Sequence, residues 1–229
     1  MGEKSILAVS AHPDDMEFTA GGSLARWITE GWKIYLAVCT DGGKGTHDPT
    51  VIPTELAALR RDEQLAAAAV LGVSEVLFLD NPDGELNQSP RLVFDLMRLI
   101  RPVRPERIVG WDPWHRYELH PDHRSAGLAT LDAVLAAGNP HYFPELLGNG
   151  LQPHAVLEVY LYGAEQPDTW IDITTTIERK LEAIACHHSQ TDRTSRLLDD
   201  LRICNANYGK QGGSEYAEAF KVLHPFCDT

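Results

Sequence analysis

Two short strings in this chain, Ala11–Asp15 (Ala-His-Pro-Asp-Asp) and His120–His123 (His-Pro-Asp-His), consist of residue types that bind metals and move protons. Together they supply three histidines and three aspartates. Imidazole nitrogens and carboxylate oxygens are ligands of catalytic zinc, and three such protein ligands leave one coordination position open for water. A set of this kind favours metal-assisted hydrolysis.

The first string comes at the end of a predicted strand. The apolar run Ser5–Ser10 is typical of a strand buried on both faces of a parallel sheet. Gly21–Ser23 and an apolar-periodic stretch over 24–28 follow, so this region predicts a strand, a functional loop and a helix. Ligands favour that crevice in open α/β sheets. In a nearly extended loop the side chains of Asp14 and Asp15 diverge, so one can bind metal while the other faces substrate.

The second string begins a predicted helix. Pro121 suits the first turn of a helix, and the positive end of the helix dipole favours Asp122. The helix is predicted to run through Leu135. On its first turn His120 and His123 lie on one face, so one can bind metal while the other contacts substrate.

Apolar strand candidates alternate with helical stretches along the chain, which predicts an α/β fold with a parallel sheet in one domain over residues 1–229. The further predicted strands cover 33–39, 76–79, 107–110, 155–162 and 170–173, and the further predicted helices cover 55–71, 92–100, 124–135 and 176–185. Four main strand–helix units are too few for an eightfold barrel.

Composition narrows the class of partner. With 229 residues and 43% hydrophobic content, the chain is neither disordered nor fibrous. Its formal net charge of -13 disfavours nucleic acid and anionic membranes, whose phosphates would be repelled, and favours a neutral small molecule. No apolar run approaches the ~18 residues of a membrane span. Since the N-terminus also lacks the pattern of a secretory signal, the expected location is the cytoplasm.

The two strings resemble the signature of the LmbE-like, or PIG-L-like, zinc-dependent N-deacetylases. Further likenesses follow in family order: Thr40–Gly42, Arg60 and Glu63 ahead of an alanine-rich run, Pro82–Gly84, and His187 with Ser189 and Gln190. The resemblance implies a Rossmann-like, mostly parallel sheet with helices on both faces. It also implies removal of an N-acetyl group from an N-acetylglucosamine-type sugar or a glycoconjugate.

The resemblance further implies a role for each residue of the two strings. It implies that one Zn²⁺ per chain is held by His12, Asp15 and His123. Asp14 is expected to act as the general base of amide hydrolysis. A protonated His120, kept oriented and cationic by Asp122, is expected to stabilise the developing oxyanion.

Two residues outside the strings are expected to hold the sugar. Family members use an arginine in the segment matching Arg60 and an acid matching Asp83. Arg61 is adjacent, so the register between the two arginines stays open, with Arg60 preferred. Glu118 stands where some mycothiol-pathway relatives carry a tyrosine, which disfavours that specificity.

The remaining expectations concern the periphery of the site. Residues from about 190 to 229 resemble a C-terminal element of the family and are expected to pack on or near the site. His187 is expected near the pocket. The apolar stretches Tyr142–Pro144 and Trp111–Trp114 fit a subunit contact in a homo-oligomer as readily as a substrate pocket.

Two other functions stay open. Some LmbE-like relatives hydrate a double bond in a small dicarboxylic acid, but they depart from the intact His12–Asp15 string, and an acidic protein hosts a dianion poorly. A noncatalytic zinc- or carbohydrate-binding protein would need only the three metal ligands. The presence of Asp14 and of the pair His120 and Asp122 argues against it, because an inert site has no use for a base and an oxyanion partner.

Overall fold

A computed structural model describes residues 4–87, 89–191 and 196–226 of the chain. The strands in these residues are β1 (Ser5–Ser10), β2 (Lys33–Thr40), β3 (Glu75–Asn81), β4 (Arg107–Trp111), β5 (Glu158–Tyr162), β6 (Thr169–Asp172) and β7 (Ala217–Leu223). The helices are α1 (Asp15–Thr29), α2 (Pro53–Leu71), α3 (Pro90–Val103), α4 (Pro121–Gly138), α5 (Glu145–Gly148), α6 (Ile177–Ala185), α7 (His188–Thr191) and α8 (Leu197–Gly212). No helix in these residues has the length and hydropathy that a membrane crossing needs.

The strands form one sheet in the order β3-β2-β1-β4-β5-β7-β6. The pairs β1 with β2, β1 with β4, β2 with β3 and β4 with β5 are parallel. Strand β7 runs antiparallel to both β5 and β6. The predicted Rossmann-like, mostly parallel sheet is therefore confirmed, with an antiparallel edge that the alternation of strands and helices did not predict.

Helices cover both faces of the sheet, as strand β1 illustrates. Leu7 and Val9 belong to the core cluster that contains the apolar residues of α3 and α4. Ile6 and Ala8 belong to the cluster that contains the apolar residues of α1. Side chains alternate between the faces of a strand, so a strand covered on both sides must be apolar throughout. This explains why the run from Ser5 to Ser10 shows no polar alternation.

The order of the strands places the ligand crevice between β1 and β4. The chain leaves β1 to form α1 on one face, and it leaves β4 to form α4 on the other face. Connections that diverge in this way open a crevice at the carboxyl ends of the two strands. The Ala11–Asp15 string follows β1 and the His120–His123 string precedes α4, so both open onto the same crevice.

The backbone of the first string differs from the sequence-based prediction. Helix α1 begins at Asp15, well before the predicted stretch over 24–28, and its first turn contains the acidic residues Asp15 and Glu17. Carboxylates are favourable at the positive end of the helix dipole. Asp14, at the N-cap, has a φ of 101°. The prediction of a nearly extended Asp14–Asp15 pair is wrong, because the chain turns sharply at Asp14 to enter the helix.

The C-terminal segment packs mainly against the antiparallel edge of the sheet. Helix α8 contacts β6 and β7. Gln190, at the start of the segment, lies beside Gly45 in the loop after β2, since a Cβ on Gly45 would be 3.3 Å from its Oε1. Residues 192–195 and 227–229 of this segment lie outside the described residues.

A buried ion pair joins this edge to the helices around α1. Lys180 of α6 donates to Glu218 of β7 at 2.6 Å, and both side chains are 1% exposed. Glu218 also accepts the backbone N–H groups of Gly22 at 3.0 Å and Ser23 at 2.7 Å in α1. One carboxylate thus satisfies donors from two helices.

Removing one partner of this pair is expected to destabilise the fold. Lys180→Met leaves the Glu218 carboxylate buried without its counter-ion, which typically lowers the free energy of unfolding by about 3–5 kcal/mol. Urea denaturation followed by circular dichroism measures the change. Arg202→Met is the matched control, because it removes the largely exposed pair of Arg202 with Glu178 and is expected to cost less than about 1 kcal/mol. Equal losses in the two variants would show that the buried pair does not support the fold.

Candidate active site

The two strings meet in a cavity of about 320 Å³ at the carboxyl edge of the sheet, a volume within the range of small-molecule sites. The predicted site residues that line it are His12, Asp14, Asp15, Arg60, Asp83, His120 and His123. The remaining predicted residue, Asp122, is fully buried and contacts His12. The structure therefore brings together the predicted catalytic, metal-binding and sugar-binding residues, and we refer to this space as the site cavity.

Asp15 is held rigidly between the two strings. Its Oδ2 accepts the backbone N–H groups of Ala11 at 2.9 Å and His12 at 2.8 Å, and the indole N–H of Trp111 at 3.2 Å. Its Oδ1 lies 3.5 Å from Nε2 of His123. Burial opposes ionisation, yet the neighbouring imidazoles of His12 and His123 hold the pKa of Asp15 well below its usual range. One carboxylate oxygen is thus used for structure and the other faces the cavity.

Three imidazoles share the cavity. His12, His120 and His123 each offer a ring nitrogen, and these nitrogens lie within 4.8 Å of one another. The ring centroids of His12 and His120 are 4.4 Å apart, and those of His120 and His123 are 4.6 Å apart. Trp111 stacks on His123 at 3.9 Å with an interplanar angle of 13°. The indole of Trp111 therefore contacts two predicted metal ligands, His123 by stacking and Asp15 by its hydrogen bond.

Two more carboxylates face His12 from the loop after β3 and from α4. Nε2 of His12 lies 3.2 Å from Oδ1 of Asp83 and 3.3 Å from Oδ2 of Asp122. The Asp122 carboxylate also accepts the backbone N–H groups of Gly84 at 2.6 Å and Leu86 at 3.1 Å. Asp122 thus ties the helix that carries the second string to the loop that carries Asp83.

The predicted pairing of Asp122 with His120 takes a different form in the structure. Nδ1 of His120 accepts the backbone N–H of Asp122 at 3.3 Å, and His120 caps α4 in this way. The carboxylate contacts described for Asp122 are with His12 and the loop after β3, not with the His120 ring. Burial, followed by the charges of His12 and His123, lowers the pKa of His120 below its ordinary value. These contacts favour the neutral form of His120.

The donor set fits a divalent metal ion. Nε2 of His12 is buried and lies beside the carboxylates of Asp83 and Asp122 without hydrogen-bond geometry. Burial disfavours a charged His12, but Asp122, Asp15 and Asp83 together raise its pKa to about 12. The carboxylates thus stabilise positive charge at this point, and metal ions compete with protons for such ligands. Imidazole and carboxylate are also the ligand types that zinc accepts.

Asp14 and Arg60 form a separate pair at the cavity wall. Oδ2 of Asp14 lies 3.2 Å from Nη2 of Arg60. Burial raises the pKa of Asp14 to about 7, although Arg60 opposes this shift. Arg60 also donates to the carbonyls of Gly42 at 2.9 Å and Pro13 at 2.5 Å. It therefore fixes the loops around Asp14 as well as facing the cavity.

The structure separates the two neighbouring arginines that the sequence left ambiguous. Arg60 is 4% exposed and lines the site cavity. Arg61 points away, because it pairs with Asp80 at 2.8 Å and lies over the ring of Phe78 at 3.9 Å. Consecutive residues on a helix face different directions, so only one of the two arginines of α2 can reach the cavity.

Several residues around the site were not predicted from the sequence. Lys44 lines the cavity, and its backbone N–H donates to Asp83 at 2.9 Å. Glu118 lies 3.5 Å from Nδ1 of His123. His187, by contrast, was expected near the pocket; it is fully buried, and its Nε2 lies 3.5 Å from Oε2 of Glu17. Trp111 contacts Asp15 and His123. Its position at the end of β4 could have predicted these contacts, since the carboxyl ends of strands border the crevice.

A larger groove lies elsewhere on the surface. It has a volume of about 630 Å³ and runs between α3 and α4 beside Tyr142 and Phe143. Its lining is mostly apolar. It contains no residue of the two groups that could hold a metal ion, which are His12 with His120 and His123, and His12 with Asp83 and Asp122. The chemistry of the chain therefore points to the smaller site cavity.

Known proteins resemble this chain in sequence and in fold. Residues 7–134 match the PIG-L family, described as GlcNAc-PI de-N-acetylase. The diacetylchitobiose deacetylase of Thermococcus kodakarensis is 36% identical over 222 residues, which are 96% of this chain and 83% of that protein. The N,N'-diacetylchitobiose deacetylase of Pyrococcus horikoshii, solved with its inhibitor MPG, superposes with a TM-score of 0.92 at 33% identity, covering 97% of this chain and 84% of that one.

A protein of different activity shares the fold. The 4-carboxy-2-hydroxymuconate hydratase of Pseudomonas putida KT2440 superposes with a TM-score of 0.81 at 25% identity, covering 99% of this chain and 98% of that one. The scaffold alone therefore does not decide the reaction. The matched residues span more than half of the chain and contain both strings, and this chain belongs to the PIG-L, or LmbE-like, family.

Proposed function

We propose that this protein is a zinc-dependent hydrolase that removes the N-acetyl group from an N-acetylglucosamine-type substrate. The observation that carries the proposal is that Asp14 and His120 line the same cavity as the imidazoles of His12 and His123. A base and an oxyanion partner thus surround one space of substrate size beside metal ligands. The relatives named as deacetylases of diacetylchitobiose support the same reaction class.

The residues proposed to hold one Zn²⁺ are His12, Asp15 and His123. Asp15 suits this role because hydrogen bonds to its Oδ2 leave Oδ1 directed toward His123. A zinc ion bound there would lower the pKa of a water molecule to about 7 and polarise the amide carbonyl. His120 is the competing ligand, since its nitrogen lies within 4.8 Å of those of His12 and His123.

Asp14 is proposed as the general base. Its carboxylate lies at the cavity wall, and its pKa of about 7 matches a group that takes a proton at neutral pH. Arg60, 3.2 Å away, favours the ionised form that can accept this proton. As water adds to the amide carbonyl, its proton passes to an Asp14 oxygen. The same proton is then available for the departing amine.

His120 is proposed to donate a hydrogen bond to the oxygen that becomes negative during the attack. Since Nδ1 accepts the Asp122 backbone N–H, the neutral ring carries its proton on Nε2. A neutral imidazole held in this way can donate without being charged. This replaces the protonated His120 expected from the sequence by a donor whose orientation is set by the start of α4.

Arg60 and Asp83 are proposed to border the sugar. Both line the site cavity, and Asp83 is fixed by the Lys44 backbone N–H. Both terminal nitrogens of Arg60 already have partners, Nη1 in Gly42 and Nη2 in Pro13 and Asp14. We therefore assign Arg60 mainly to shaping the cavity and Asp83 to hydrogen bonding with sugar hydroxyls.

The substrate class is tested by following both products of hydrolysis. Zinc-loaded protein is incubated with N-acetylglucosamine, diacetylchitobiose, 1D-myo-inositol 2-acetamido-2-deoxy-α-D-glucopyranoside and 4-carboxy-2-hydroxymuconate. We expect acetate and free amine in equal amounts from at least one of the amino sugars. Consumption of the muconate without acetate release from any sugar would instead establish a hydratase.

Removing the proposed base should abolish turnover without removing the metal. Asp14→Asn is expected to lower kcat by about 100- to 10,000-fold, because general bases contribute this much. Zinc content, measured by elemental analysis, should equal that of the unmodified protein. Asp80→Asn is the matched control, since Asp80 is exposed and pairs with Arg61 away from the cavity. Near-normal turnover by the Asp14 variant would exclude it as the base.

Two further variants separate a metal ligand from an oxyanion partner. Asp15→Asn is expected to lose zinc together with activity, whereas His120→Gln should keep zinc and lose about 100- to 1000-fold in kcat, as for one oxyanion donor. Competition with a chromogenic chelator measures zinc affinity, and circular dichroism confirms folding. If His120→Gln weakens zinc binding as strongly as Asp15→Asn, His120 is a further ligand. If only His120→Gln weakens it, the three imidazoles are the ligand set.

A further inference from the structure

The backbone of Asp14 is held by a residue of α2 that lies outside both strings. Asp14 has φ 101° and ψ −30°, and its side chain makes no cap hydrogen bond to α1. Its backbone N–H donates to Oε1 of Gln64 at 3.0 Å. Strained backbone of this kind persists only where several contacts with the surrounding structure hold it in place, and it is often found at active sites. Gln64 supplies such a constraint.

The amide of Gln64 is itself fixed in orientation. Its side chain is fully buried, and its Nε2 donates to Oε1 of Glu17 at 2.7 Å. An ionised carboxylate only accepts hydrogen bonds, whereas a side-chain amide donates through its nitrogen and accepts through its oxygen. Contact with Glu17 therefore turns the Gln64 oxygen toward Asp14. Glu17 is in turn flanked by His187, whose Nε2 lies 3.5 Å from its Oε2.

We propose that Gln64 is a positioning residue that sets the geometry of Asp14, an inference that rests on the proposed role of Asp14 as the base. Gln64 holds the backbone of Asp14, while Arg60 lies 3.2 Å from its carboxylate. Both come from α2 and contact opposite ends of the same residue. The carboxylate is thereby aimed into the site cavity rather than along α1.

Only an amide satisfies both neighbours of Gln64. A methionine of similar length would leave the Asp14 N–H and Oε1 of Glu17 without a partner. A glutamate could accept from Asp14 but would place a second carboxylate against Glu17 at hydrogen-bonding distance. A pair in which the amide and the carboxylate exchange places would keep both hydrogen bonds.

The test is a double-mutant cycle between Gln64 and Asp14. Gln64→Met is expected to lower kcat by about 10- to 100-fold, the effect of displacing a catalytic group by about 1 Å, with little change in KM or zinc content. In the Asp14→Asn background, Gln64→Met should cause no further loss of residual turnover, because the group that it positions is already absent. A merely structural role would reduce turnover by the same factor in both backgrounds and would overturn the proposal.

Two more variants keep the result interpretable. Glu63→Gln is the matched control, since this neighbour on α2 bonds Ser189 and not Asp14; it should leave kcat within a few-fold. Gln64→Glu combined with Glu17→Gln exchanges the two groups and should recover most of the turnover that Gln64→Met loses. Failure of this exchange to recover turnover in a folded, zinc-loaded protein would also overturn the proposal.

The cycle separates this inference from the proposed function. If Asp14→Asn is inactive while Gln64→Met turns over normally, only the positioning role of Gln64 is excluded. If Asp14→Asn itself turns over normally, the base assignment falls and the positioning proposal falls with it. Acetate release and zinc content are measured for every variant on the same preparation.

Discussion

The site depends on one buried carboxylate, that of Asp15. Taking a charged carboxylate out of water costs several kcal/mol unless hydrogen bonds and opposite charges compensate for it. Here Ala11, His12 and Trp111 donate to one of its oxygens, and His123 lies against the other. The compensation for a single group thus joins the loop after β1, the start of α1, the end of β4 and the first turn of α4.

The other acids of the site also depend on nearby positive charge. Asp83 and Asp122 converge on His12, and Asp122 also satisfies backbone N–H groups of the loop after β3. Several carboxylates gathered in a small, poorly solvated space repel one another unless positive charge is present. The arrangement therefore favours a cation at this point, as the proposed metal ligands require.

The hydratase of similar fold shows what such a scaffold leaves undecided. A doubly wound sheet places loops at the carboxyl ends of β1 and β4 whatever those loops contain. The reaction depends instead on the side chains that the loops present and on how rigidly each is held. In this chain the base candidate Asp14 sits on strained backbone, and its position depends on contacts with Arg60 and Gln64 from α2.

The sequence by itself determined the parallel strands with their helices and the candidate site residues, because these follow from local patterns. Apolar runs predict buried strands, Pro121 predicts a helix start, and two strings of histidine and aspartate predict a metal site. Only the tertiary structure decided which arginine of α2 faces the cavity and which groups the Asp122 carboxylate contacts. It also decided that Trp111 contacts Asp15 and that Gln64 contacts Asp14. Gln64 and Asp14 are 50 positions apart. Contacts over such separations depend on how helices rotate and pack against the sheet, and no local periodicity encodes that rotation.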